Sequence, residues 1–204
     1  MALVQRCKVQ GSESRRGQRR TKMSTCPVTG LTEEEKQDLI RAWKKMIGTT
    51  PKDFKNAGIS LVLWMFDNIP NMRSRFTKFQ ANSSRTNLIA DEMFLAHTQT
   101  VILALDSVIK LLDNPTKLKQ KLTSVVKSHV GQNPPIGSEY FDPFAEKFHI
   151  FLQAALGVPR DDKEVKAWVK FLNALCSLVK LEEEAVKKAG KPATPSGAPC
   201  CSIL

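Results

Sequence analysis

The 204-residue sequence predicts an all-α domain over residues 31–188, preceded by a disordered basic extension (1–30) and followed by a flexible tail (189–204). Three observations predict it. Apolar residues recur at spacings of three and four through 31–188, and no segment shows the alternation of a half-buried strand. Helix-start signals precede these runs: Thr32 and Glu35 have the spacing of a capping box, and Thr50-Pro51 and Asn114-Pro115 each set a cap before a proline at the first helical position. The ends lack either period, being rich in Arg, Gln, Ser and Gly at 1–30 and in Ala, Gly, Pro and Ser after Lys188.

The elements follow in order. The first helix carries Leu39, Ile40, Trp43, Met46 and Ile47 and stops at Gly48. The second runs through Phe54, Gly58, Leu61, Val62, Met65 and Phe66 to Ile69-Pro70. After an irregular stretch, Ser83 or Ser84 caps one long helix that ends near Asp113 and presents Phe94, His97, Val101, Ala104, Leu105, Val108 and Leu112 on one face. The helix opened by Asn114 carries Leu118, Leu122, Val125, Val126 and His129. A loop at 131–137, with Pro134-Pro135 inside, leads to a helix from Ser138 that carries Phe141, Phe144, Phe148, Phe151 and Leu152. The last helix spans about Asp161 to Lys188, with Val165, Trp168, Val169, Leu172, Leu175, Cys176 and Val179 inward.

Charge narrows the function classes. The formal net charge is +11, and the segment 1–30 alone supplies Arg6, Lys8, Arg15, Arg16, Arg19, Arg20 and Lys22 against Glu13. More than half of the excess therefore lies outside the predicted domain, without aromatic interleaving or a recognition helix, which excludes a nucleic-acid partner. Five cysteines with no C-x-x-C pair read as free thiols in a reducing compartment. No apolar run approaches the ~20 residues that span a bilayer, and the first four apolar residues are too few for a secretory signal. The expected location is cytoplasmic.

Two of the three histidines, His97 and His129, stand on otherwise apolar helix faces, and His149 is expected to be structural or at the surface. Metal hydrolysis sites add carboxylates, yet Asp91, Glu92 and Asp106 lie off the His97 face. Two lone imidazoles on neighbouring apolar helices suit a flat apolar cofactor with an axial metal better than a hydrated ion.

With these residues in view, 31–188 resembles the globin family, and in particular is similar to membrane-attached or neuroglobin-like invertebrate and globin X-type globins. Residues 58–79 look like the family's B helix, C turn and CD corner, with Gly58 at the helix crossing and Pro70 opening the turn. The resemblance implies a fold of helices A–H around a haem pocket and haem b as cofactor. It implies His129 as proximal iron ligand and His97 as distal residue, either hydrogen-bonding a gas or supplying a sixth ligand. Phe76 and Phe79 fall on the aromatics that wedge the haem, Lys78 where a base approaches a propionate, and Phe94, Val101, Val62 and Phe141 on the pocket walls. The Val125 carbonyl and the Ser128 hydroxyl are candidate acceptors for the second ring nitrogen of His129. Val62 departs from the larger residue usual at its position, which implies a roomier distal side.

The implied ligands are O2, CO and NO, with no catalytic residue assigned and a reductase as a possible redox partner. The alternative to gas storage is a membrane-tethered haem redox or sensor protein. Cys201 followed by Ser, Ile and Leu fits the prenylation pattern, with Cys200 beside it open to a palmitoyl group. Together with the basic extension, these residues make an anionic membrane surface the expected partner, reached peripherally from the cytoplasm.

Overall fold

The computed structural model describes residues 24–77, 79 and 81–190. Seven α-helices follow one another among them: α1 (Glu33–Ile47), α2 (Pro51–Asn68), α3 (Arg85–Ala90), α4 (Glu92–Ile109), α5 (Pro115–Val130), α6 (Ser138–Leu156) and α7 (Lys163–Lys188). A single 3-10 turn, Arg73–Arg75, lies between α2 and α3. No strand occurs among the described residues, and no helix there is long and apolar enough to cross a membrane.

The helix starts are built as local chemistry dictates. The Thr32 hydroxyl accepts from the Glu35 N–H at 3.2 Å while the Glu35 carboxylate accepts from the Thr32 N–H at 2.7 Å. Thr50 and Asp53 repeat this reciprocal cap on α2, ahead of Pro51. The Asn114 carboxamide oxygen accepts from the Lys117 N–H at 3.0 Å to start α5. Each cap satisfies first-turn donors that no earlier turn of helix can reach.

Two expectations change. The long helix predicted from Ser83 or Ser84 to Asp113 is two helices, because Asp91 is extended (φ −85°, ψ 120°) and its carboxylate accepts from the Phe94 N–H at 2.9 Å, so it caps α4 within the apolar run. The ordered domain also begins before residue 31. Cys26 and Thr29 are buried, the Cys26 N–H donates to the Leu31 carbonyl at 2.8 Å, and Gly30 turns the chain at φ +70°. The remainder of the predicted basic extension and the tail from 191 lie outside the described residues.

The helices form two joined cores. In the larger, Trp43 of α1 and Trp168 of α7 are fully buried with ring centroids 5.8 Å apart, and Phe148 of α6 lies 5.3 Å from Trp168. The Trp43 indole N–H donates to Asp106 of α4 at 3.0 Å, tying α1 to α4. A charged seam ties α1 to α7: Lys45 reaches the buried Glu164 carboxylate at 2.8 Å, and Arg41 contacts both Glu164 and Asp38. Cys176 belongs to this larger core, as its place on the inward stripe predicts. The smaller core, at the opposite side of α2, gathers Val62, Phe66, Phe79, Leu88, Phe94, Ile136 and Tyr140.

The spacing between α2 and α4 depends on Gly58. A Cβ at that position would stand 2.8 Å from the Thr98 carbonyl oxygen and 3.3 Å from Ile102. Backbone cannot step aside as a side-chain tip can, so the helices cross closely only because position 58 has no side chain. Gly58→Val is expected to destabilise the fold by about 2 kcal/mol, in the range of overpacked cores. Urea denaturation checks this, and a variant of unchanged midpoint contradicts the close crossing.

Candidate haem site

The smaller core holds both histidines at its edge. His97 projects from the middle of α4 and is only 7% exposed. Its ring meets Phe76 edge-on at 4.7 Å between centroids, and Phe79 lies 6.5 Å away. Phe76 and Phe79 stack at 5.4 Å, and Phe66 and Phe94 complete the aromatic cluster, with Phe94 fully buried 5.6 Å from Phe79. Val62 is buried in the same cluster, and Val101, one turn after His97, packs partly buried against it.

His129 ends the inward stripe of α5. Its Nδ1 lies 2.7 Å from the Val125 carbonyl, which can only accept, so Nδ1 carries the proton and Nε2 the lone pair. The Ser128 hydroxyl donates to the same carbonyl at 2.7 Å and lies 3.4 Å from Nδ1. Of the two candidate partners, the Val125 carbonyl is the closer. Phe141 of α6 stands edge-on to the imidazole at 5.4 Å. The Ile136 N–H donates to the His129 carbonyl at 3.0 Å and anchors the following loop to the end of α5.

Electrostatics keeps both rings neutral. Burial, with a smaller push from His129, lowers the His97 imidazole to about 4. Burial also lowers His129, against the opposing effect of its hydrogen bond to Val125. His97 is carried by α4 against Phe76, and His129 by α5 against Phe141. Among the described residues no three His, Cys, Asp or Glu side chains gather, so the protein offers a metal lone imidazoles and not a cage of its own ligands. This donor set, walled by Phe and Val, fits an apolar macrocycle that brings its own four equatorial ligands.

Comparison with known proteins agrees with that geometry. The family model described as Globin matches residues 61–179. The chain belongs to the globin family. A curated globin from Biomphalaria glabrata is 41% identical over 160 residues, covering 78% of this chain and 99% of that protein. Two solved structures share the fold at lower identity. Ferric Aplysia limacina myoglobin with azide superposes with a TM-score of 0.64 at 18% identity, over 74% of this globin and 98% of that chain. A hexacoordinated heme protein from an anhydrobiotic tardigrade gives 0.64 at 22% identity, over 78% and 98% respectively.

Most of the residues singled out from this globin's sequence therefore lie together: Phe76, Phe79, Phe94, Val62 and His97 in one aromatic cluster, and Val125, Ser128, His129 and Phe141 in another group. Lys78, Cys200 and Cys201 lie outside the described residues. His149 sits apart on α6, its Nδ1 2.7 Å from the Glu146 carbonyl. Phe66 joins the site without having been singled out for it. Its ring lies 5.0 Å from Phe76, and its place one helical turn after Val62 was the available signal.

The neutral state of His97 sets a pH dependence for the protein without haem. Its folded-state pKa, about 4, lies below the ordinary 6.5, so the unfolded chain takes up the proton first as pH falls. The contribution of the neutral ring is complete above about pH 6.5 and is lost between about 6.5 and 4, a span worth roughly 3 kcal/mol. Urea midpoints measured across this window should fall steeply with pH in the native sequence and less steeply in His97→Leu. Parallel profiles would contradict the buried neutral assignment.

Proposed function

We propose that this globin holds haem b between His129 and His97 and reversibly binds O2, CO and NO. The observation that carries the reading is the Nδ1 to Val125 contact at 2.7 Å, which leaves Nε2 of His129 as a lone-pair donor beside the Phe141 ring. Haem, when bound, supplies an iron that takes up a diatomic gas reversibly. The chain's residues supply the rest. His129 is the axial ligand, and Val125 and Ser128 fix its tautomer and raise its basicity. Phe76, Phe79 and Phe94 exclude water, and Phe141 restrains rotation of the His129 ring. His97 offers an N–H donor to a ligand in the pocket or a second axial nitrogen.

The second role of His97 favours the redox or sensor alternative. A neutral ring needs no deprotonation before it coordinates a metal, and burial keeps His97 neutral. Titration with haem is expected to give a Soret band in the native protein. His129→Ala should weaken haem binding by more than the 10–100-fold usual for outer-shell changes. His97→Leu should keep the Soret band and convert a six-coordinate ferrous spectrum to a five-coordinate one. A native protein with no Soret band overturns the haem reading, and a five-coordinate native spectrum overturns the redox alternative.

We place this globin on a cytoplasmic membrane face, held by a geranylgeranyl group on Cys201 and a palmitoyl group on Cys200. The support is the Cys-Ser-Ile-Leu sequence at 201–204 and the basic segment at 1–30. One lipid chain binds only marginally, so both signals are needed. In lipid-modifying cells Cys201→Ser should move the protein from the membrane to the soluble fraction. Equal fractionation of both forms would remove the tether.

A further inference from the structure

Helix α5 departs from the charge pattern of the other helices. Pro115–Val130 contains Lys117, Lys119, Lys121 and Lys127 and no acid, whereas each of the other helices of 15 residues or more contains at least two acidic residues. Lys117, Lys119 and Lys127 are exposed and Lys121 is partly so, and Gln120, Thr123 and Ser124 fill the surface around them. The ion pairs found among the described residues involve none of these four lysines.

Three of the four stand in the N-terminal half of α5, where the helix dipole is positive and cations are unfavourable. α1, α2, α4, α6 and α7 all place an acid in the first turn, and α5 places none. A local rule broken with no compensating contact inside the fold points to a compensating partner outside it. The exposed large apolar residues are Ile89, Met93, Leu103, Ile150 and Leu181, none of them on α5. A protein partner usually needs a buried aromatic or aliphatic anchor. A face of lysines among hydroxyls and an amide suits a diffuse layer of negative charge.

The C-terminal part of α7 packs against the end of the loop that follows α5. The Glu183 carboxylate accepts from the Ser138 N–H at 2.7 Å, and Ile136, two residues earlier, is bonded to His129.

We propose that the exposed lysine face of α5 is the surface by which this globin lies on an anionic lipid leaflet, with the helix that bears His129 turned toward the membrane. The proposal rests on the peripheral attachment inferred above and names the face that makes it. Each lysine near an anionic leaflet changes partition by about five-fold. The attraction weakens with salt, since exposed charges are screened over about 10 Å at 0.1 M.

The test uses the full chain from a bacterial host, which adds no prenyl group, so it is independent of the lipid on Cys201. Co-sedimentation is measured with phosphatidylcholine vesicles and with vesicles containing phosphatidylserine, at low and high salt. Replacement of Lys117, Lys119, Lys121 and Lys127 by Gln is compared with the same change at Lys44, Lys52, Lys55 and Lys166, all exposed and away from α5. The expected result is salt-sensitive binding to the phosphatidylserine vesicles only, weakened at least about thirty-fold by the α5 set and only a few-fold by the control set. An unchanged or raised melting temperature in the α5 set shows that these lysines do not stabilise the fold. Equal losses in both sets, or no loss in the α5 set, overturn the proposal. So does a native-like vesicle affinity combined with slower reduction by an acidic electron-transfer flavoprotein, which would assign the face to a protein partner.

Discussion

A 2.7 Å hydrogen bond within the last turn of α5 decides what chemistry the pocket can support. Were Nδ1 of His129 to carry the lone pair, two acceptors would face one another at this distance and the ring would turn away from the cavity. The Val125 carbonyl lies one turn back from His129 and its oxygen has lone-pair capacity beyond the helix ladder, and the Ser128 hydroxyl shares it without competing for the ring's outward nitrogen. The Ile136 N–H holds the His129 carbonyl and so stops the last turn from fraying. One local contact therefore joins helix termination, tautomer and donor direction. A substitution that loosens the 131–137 loop should act on ligand affinity through this bond rather than through any contact with the cofactor.

The other wall depends on distance rather than on a hydrogen bond. α4 approaches α2 closely enough to carry His97 against Phe76 because Gly58 leaves room for the Thr98 carbonyl, one residue after His97. The same approach places Phe66 of α2 among Phe76, Phe79 and Phe94. These rings supply a stiff apolar surface with low demand for hydrogen bonds, and this environment holds His97 neutral. The aromatic cluster thus shapes the cavity and also sets the protonation state of its polar group.

The sequence showed these features unevenly, for physical reasons. Caps at Thr32, Thr50 and Asn114 were legible because they need only local residues at fixed spacing, and His97 and His129 stood out against apolar helical stripes. The break at Asp91 was hidden because the apolar period continues across it and neither Gly nor Pro marks it, although Asp is a favoured N-cap. Residues 24–30 read as part of the disordered extension since they have no period. Their order comes from tertiary burial of Cys26 and Leu31, which pattern alone does not report. Phe66 was placed on its helix but not in the site, because ring neighbours contributed by residues 76, 79 and 94 become visible only when the chain is folded.

Charge is segregated across the fold. The buried acids among the described residues are Asp38 and Glu164, whereas His97 is buried against Phe76 and Phe79. The acids instead tie helices together at the far side, as Glu164 and Asp38 do between α1 and α7, or cap helix starts. α5 is where the arrangements meet, with His129 on its inner face and unpaired lysines on its outer face. The neutral form of His129 is set by burial, against the opposing effect of its hydrogen bond to the Val125 carbonyl.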